Sequence, residues 1–203
     1  MLERAERPAS ETRREQLLSV AREVFAERGY TATTMEDVAR AAGFTKPILY
    51  QYFDSKRALY REIVAETAAR LLSQLEAAVR AVQNPRSRIE EAFRVYFEMV
   101  VSEPDAFRIL FIHTHEGETA LELRHLEAGL VSFVEPYITV EISEDHRRQL
   151  AAGVVGIAEG TAVAWLLQRP HGARPHPDAP EAARLAARAA TLAWGGLRAV
   201  SRD

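Results

Sequence analysis

The chain has 203 residues, enough for one medium domain or two small ones. It contains no cysteine, which excludes disulfides and thiolate metal sites, and its hydrophobic share of 47% is ordinary for a protein with a buried core. The net charge of −3 is unevenly spread: residues 1–60 hold ten Lys and Arg against nine Asp and Glu, and the remainder sixteen against twenty. The bias favours an anionic partner at the first segment only weakly, since phosphate attraction needs clustered cations.

Met1–Pro8 is charged and lacks the apolar run of a signal peptide. Arg, Glu or Asp interrupts every apolar stretch, so no bilayer span is expected. From there the chain reads as helices. Leu17, Leu18, Ala21, Val24 and Phe25 form one apolar stripe, and Gly29 can end that helix in the left-handed conformation. Thr33 and Thr34 before Glu36 and Asp37 signal a second helix, with Met35, Val38, Ala39 and Ala42 inward and Gly43 as its stop. Thr45 can cap a third helix with Pro47 in its first turn, where a missing N–H costs nothing. Leu49 and Phe53 face inward together, which turns Tyr50 and Tyr52 elsewhere.

Asp54 or Ser55 starts a long fourth helix with Leu59, Ile63, Leu71, Leu75, Val79 and Val82 on one side, ended by Asn84-Pro85. Ser87 and Glu90 read as a capping box for a fifth helix carrying Ile89, Ala92, Phe93, Tyr96, Phe97 and Val100, which Pro104 closes. A short piece holds Phe107, Leu110 and Phe111, and another helix runs from about Glu118 to Pro136. Residues 138–142 alternate like a strand but have nothing to pair with and read as a connector. A penultimate helix spans about 143–168, a Pro- and Gly-rich loop 169–180, and a last helix about 180–199. The fold class is therefore all-α, with about nine helices: a helix-turn-helix domain over 1–54 and a second helical domain over 55–203.

The second and third helices with their tight turn have the shape that places a helix end in the DNA major groove. The leading residues of the third helix, Thr45, Lys46, Pro47 and Ile48, are those that would meet base edges. Lys46 can donate to guanine O6 or N7, and Pro47 and Ile48 offer apolar surface to a thymine methyl. Tyr50 and Tyr52 carry hydroxyls that reach phosphate oxygens, the amides at Thr34 suit an anion, and Lys56 stands on the other flank. Short helix pairs also occur in proteins that never meet DNA, so spacing alone leaves the reading open.

The string Thr33-Thr34-Met35-Glu36-Asp37-Val38-Ala39, then Ala42-Gly43-Phe44-Thr45-Lys46, then Leu49-Tyr50-Gln51-Tyr52-Phe53, with Lys56 and Leu59, closely resembles the N-terminal domain of the TetR family of bacterial transcriptional regulators. The resemblance covers about a quarter of the chain. It implies that the position of Thr34 caps its helix at a phosphate and that Tyr50 and Lys56 contact the DNA backbone, with Gln51 and Tyr52 beside them. The chain departs from the family pattern at Pro47, often Gly or Ala, and at Tyr52, often His.

The resemblance further implies a ligand-responsive dimeric regulator, usually a repressor, that acts in the bacterial cytoplasm at the nucleoid, binds a palindromic operator in double-stranded DNA, and is released by a small, largely apolar effector. No enzyme activity, cofactor or membrane partner is expected. The homodimer would form through the helices at about 143–168 and 180–199, both rich in Ala and Gly, which let helices approach closely. The effector would lie between the fourth and penultimate helices, with Phe93, Tyr96, Phe97, Phe107, Phe111, Phe133, Tyr137 and Trp165 as aromatic lining, though most aromatics at helical spacing are plain core. Glu159, in an apolar run, would meet a cationic ligand or an internal partner such as Arg94, Arg108 or a histidine. The expected mechanism is a population shift: ligand prefers a conformer in which helix 55–82 tilts and the two reading helices no longer match the duplex.

The alternative function is a helical enzyme or metal-binding module built on His113, His115, Glu116 and His125. No nucleophile–base pair, phosphate loop or HExxH motif accompanies them, and surface histidines outweigh a metal centre. A third reading is a helical interaction protein with neither activity.

Overall fold

A computed structural model describes residues 9–112, 120–170 and 180–200. Among these, nine α-helices and one 3-10 turn account for the regular structure, with no strand: α1 (Ala9–Ala32), α2 (Met35–Ala41), α3 (Lys46–Tyr50), α4 (Lys56–Arg80), α5 (Pro85–Ser102), α6 (Pro104–Phe111), α7 (Ala120–Val134), the 3-10 turn Glu135–Tyr137, α8 (Glu144–Leu167) and α9 (Glu181–Arg198). Residues 138–142 are a connector, as their lack of a pairing strand requires.

α1 buries Leu17, Ala21 and Phe25 completely, one residue per turn, against α6 and α4. Gly29 interrupts the helix at φ 77°, a left-handed conformation that costs other residues a Cβ clash, and the chain turns there into α2. The carbonyl freed by the break accepts a hydrogen bond from the buried Thr33 hydroxyl at 2.7 Å. α2 packs on α1 and on α3, and Val38, Leu49 and Phe53 close the small core of this head.

α4 runs from the head into the body. Its 25 residues span about 37 Å, and Leu59, Ile63, Leu71, Leu75 and Val79 are buried along one side, as their spacing predicts. Ser55, one of the two starts expected, accepts the Ala58 amide at 3.0 Å. α5 lies between α4 and α9 and touches α6 and α8, so Phe93, Val95, Tyr96, Phe97, Met99, Val100 and Val101 are all buried. Its start differs from the expected capping box at Ser87 and Glu90. Asn84 Oδ1 accepts the Ser87 amide at 3.0 Å, Pro85 takes the first helical position, and Glu90 pairs with Arg86 instead. Asn84 thus opens α5 rather than ending α4, which stops at Arg80.

α6 is the element against which the head rests. It packs on α1, α4, α5 and α8, and Phe107, Ile109 and Leu110 are buried. Arg108 is buried as well, and its guanidinium donates to the carbonyls of Leu166 at 2.8 Å and Arg169 at 2.6 Å, closing the end of α8. One departure concerns membranes: α8 is long and apolar enough to cross a bilayer, its most apolar 18 residues having a mean hydropathy of 1.7 with only a third of them buried within the protomer. Charged residues do interrupt the run, at Glu159, but one carboxylate in an Ala- and Val-rich helix does not lower its mean far enough.

Candidate nucleic-acid interface and effector cavity

The turn between α2 and α3 is set by Gly43 at φ 73°, followed by the Phe44 amide donating to the Ala39 carbonyl at 2.9 Å. α3 then starts with Thr45 in the N-cap conformation. The Thr45 hydroxyl makes no capping bond, so it stays exposed at the tip. Lys46, Pro47, Tyr50 and Gln51 are exposed, Ile48 and Tyr52 are half-buried, and Leu49 anchors the turn from beneath. Thr45, Lys46, Pro47, Tyr50 and Gln51 therefore form one solvent-facing end, while Tyr52 packs partly against the core.

Thr34 differs from the expected anion site. Its hydroxyl accepts the Asp37 amide at 3.1 Å, and its own amide donates to Asp37 Oδ2 at 3.0 Å. This reciprocal capping box occupies two of the donors counted as free. The hydrogen bonds from Thr34 hold the Asp37 carboxyl below the usual carboxylate range, with Arg28 and Arg40 adding to the effect. A phosphate approaching α2 meets the remaining first-turn amides and Arg40.

Lys56 also holds a position that its sequence context did not announce. Its ammonium donates to the carbonyls of Tyr30 at 2.8 Å and Thr33 at 2.9 Å and sits 4.2 Å from the Tyr30 ring centroid. The Tyr30 ring packs edge-on to Tyr60, and the Tyr60 hydroxyl donates to the Ile109 carbonyl on α6 at 3.0 Å. The residue expected on phosphate thus ties the α1–α2 corner to α4, with one N–H remaining.

Two adjoining cavities of the body take in expected lining residues. The larger of this pair, of about 320 Å³, sits between α5, the 3-10 turn, α8 and α9, with Phe93, Phe133 and Tyr137 among its lining and Arg88 and Arg198 beside them. The smaller, of about 60 Å³, shares Ala92, Phe93, Phe133, Val134 and Val154 with it and adds Tyr96 and Ala158. Four of the expected lining residues, Phe93, Tyr96, Phe133 and Tyr137, thus converge. Phe97, Phe107, Phe111 and Trp165 line neither cavity. Phe107 and Phe111 belong to α6, which faces α1 and α4, Phe97 stacks on Phe93 at 6.1 Å, and Trp165 lies under the Arg169 guanidinium at 4.1 Å. Sequence reading missed Arg88, Val154, Trp194 and Arg198, for which helical spacing offers no signal beyond burial.

Glu159 is half-buried on α8 and lines neither cavity, and its Oε1 has no hydrogen-bond partner. Burial, with Glu127 adding repulsion, pushes its carboxyl up to about 7. It pairs neither with Arg94, which holds Glu91 and Glu98, nor with Arg108. Of the alternative metal set, His125 is exposed on α7, and His113, His115 and Glu116 lie outside the described residues. Among the described residues no group of three potential ligands converges.

Residues 17–63 match the model of the bacterial regulatory proteins of the tetR family. The HTH-type transcriptional activator FasR of Mycolicibacterium smegmatis is 32% identical over 167 residues, covering 80% of this chain and 76% of that protein. Two solved structures share the fold. FadR from Bacillus subtilis in complex with stearoyl-CoA superposes with a TM-score of 0.73 at 15% identity, over 90% of this chain and 98% of that one. AibR in complex with isovaleryl coenzyme A and operator DNA gives 0.66 at 19%, over 89% and 97%. At these identities the structures speak to the fold alone, whereas FasR and the family model speak to descent. The chain belongs to the TetR family: it is a ligand-responsive, helix-turn-helix transcriptional regulator and not an enzyme.

Proposed function

We propose that the protein acts as a homodimer that holds a two-fold operator through paired α3 helices and leaves it when an elongated effector with an apolar body and an anionic head fills the body cavity. The observation that carries the reading is the exposed end of α3. Thr45, Lys46, Pro47 and Ile48 sit where a major-groove helix presents its base-reading residues, with Tyr50, Gln51 and Tyr52 behind them and Thr34 and the remaining Lys56 N–H on the flanks. The working division is a reading head over 1–54 and an effector and dimer domain over 55–203, with the Ser55 cap as the joint. Acting on chromosomal DNA, the protein works in the cytoplasm.

A dimer is supported by glycines that the protomer does not need. A Cβ built at Gly153, Gly156, Gly160, Gly195 or Gly196 meets nothing within 4 Å. Each glycine costs its helix about 1 kcal/mol relative to alanine. With Leu167 and Leu192 each 65% exposed on the same two helices, the bare faces of α8 and α9 fit a second copy of themselves.

For the effector, the apolar chamber with Arg88 and Arg198 at its edge suits a chain with an anionic head, and two neighbours in fold carry coenzyme A thioesters. We read the empty dimer as the DNA-holding form, hence a repressor wherever the operator overlaps a promoter. The test is fluorescence anisotropy on the DNA upstream of the gene with a series of acyl-CoA thioesters. Tight binding that one chain-length class abolishes supports the reading, and binding that no thioester weakens contradicts it.

A further inference from the structure

The head carries almost no net charge, so its grip on an anionic duplex depends on which of its cations are uncommitted. Most are committed. Arg14 pairs with Glu62 and Arg22 with Glu66, both between α1 and α4. Arg28 and Arg40 each stand 3.7 Å from Asp37 Oδ1. Lys56 gives two of its N–H groups to carbonyls, and Arg57 and Arg61 on the same helix are engaged as well. Among the described residues of the head and the first turns of α4, Arg13 and Lys46 are the cations that hold neither a carboxylate nor a carbonyl. Lys46 is already placed as a base reader. Arg13 has no role yet.

Arg13 lies exposed in the first turns of α1, its guanidinium carbon 5.7 Å from the centre of the Phe44 ring. Phe44 is half-buried against the head core and directly precedes Thr45, the N-cap of α3. The ring therefore holds a cation of α1 beside the leading end of the reading helix. The contact uses the ring face and leaves the five guanidinium N–H donors without an oxygen acceptor in the described protein. Consecutive Cα atoms are about 3.8 Å apart, which puts Phe44 within about 8 Å of Lys46 along the chain. The major groove is about 12 Å wide, so a cation offset by that much from a helix lying in it meets a bordering phosphate row and not the base edges. A guanidinium fork matches two phosphate oxygens at once. Resting on the DNA-holding reading above, we propose that Arg13 is a phosphate contact of the head, so that α1 grips the duplex that α3 reads, and that the Phe44 ring positions its guanidinium.

The test is fluorescence anisotropy of the full-length protein across a range of salt concentrations, on the DNA upstream of the gene and on a duplex of random sequence. Arg13→Ala should weaken both by a common factor. It should also flatten the slope of log affinity against log salt by about two, one for each Arg13 of a dimer. Arg13→Lys keeps the charge and should restore most of the slope. Phe44→Leu keeps apolar packing without the ring face and should weaken both affinities to a lesser extent; parent-like affinity would remove the ring from the proposal. An Arg13→Ala protein with the parent's salt slope would overturn the contact, whatever its melting temperature, and would make the ring stacking a structural contact alone. A loss confined to the upstream DNA would also overturn it, marking a base reader. A parent protein with no salt-dependent affinity for either duplex would remove the DNA-holding reading itself.

Discussion

Lys56 closes on Tyr30: its ammonium bonds the Tyr30 carbonyl at 2.8 Å while lying 4.2 Å from the centre of the same residue's ring. A second bond to the Thr33 carbonyl at 2.9 Å makes this side chain a clamp between the first turn of α4 and the corner that leads into α2. Through Tyr30, Tyr60 and the Ile109 carbonyl, the clamp reaches α6 and the body. Any tilt of α4 is therefore transmitted to the reading head as a displacement of its corner.

Lys56→Met should lower stability by about 1–3 kcal/mol, the usual cost of losing charge-assisted bonds to buried acceptors. Denaturant titration checks this. A variant as stable as the parent, weakened only in DNA affinity, would return Lys56 to a purely phosphate-binding role.

Lys46→Ala should weaken operator binding by roughly 10- to 100-fold while leaving affinity for random DNA nearly unchanged, because a base-reading donor contributes discrimination of about 1–3 kcal/mol. Anisotropy on the two DNAs at one salt concentration gives the comparison. Equal losses on both would make Lys46 a backbone contact.

Gly156→Leu places a side chain on the bare face of α8. Nothing within the protomer obstructs it, so the monomer should keep its helicity while the dimer dissociates. Light scattering with size exclusion reads the mass and circular dichroism the fold. A dimer of unchanged stability would mean that the second copy docks elsewhere.

Glu159 gives the protein a pH dependence of unusual sign. Its folded-state value of about 7 lies above that of an unfolded glutamate. The folded form therefore binds the proton more tightly. The resulting stabilisation is full at pH values below the unfolded range near 4.5 and is lost as pH rises through about 7. Glu159→Gln should accordingly be more stable than the parent at pH 8.5, by about 1 kcal/mol once solvent screening of this half-buried group is allowed for. The gap should narrow as pH falls toward 5.5. Thermal melts across that range test it, and a constant difference would mean that Glu159 titrates normally.

The parts legible in the sequence are those that short-range chemistry decides. Gly29 breaking α1 three residues before its end, Thr34 with Asp37 opening α2, Pro47 in the first turn of α3 and Ser143 opening α8 each depend on neighbours within four residues. The start of α5 was misread because Asn84 and Ser87 are both good caps three residues apart, and Pro85 favours the earlier one. What stayed hidden is long-range. Lys56 meets Tyr30 and Arg108 meets Leu166 across separations that no periodicity encodes. In the same way, helical spacing marks Phe97 and Phe107 as buried without distinguishing a core contact from a cavity wall.

The most direct measurement is selection of bound sequences from a random DNA pool by the full-length protein. Two α3 helices on one duplex should enrich a two-fold-related motif whose half-sites lie about one helical turn, or a whole multiple of it, apart. Enrichment of a single unpaired half-site, or of no motif, would contradict the paired-helix account.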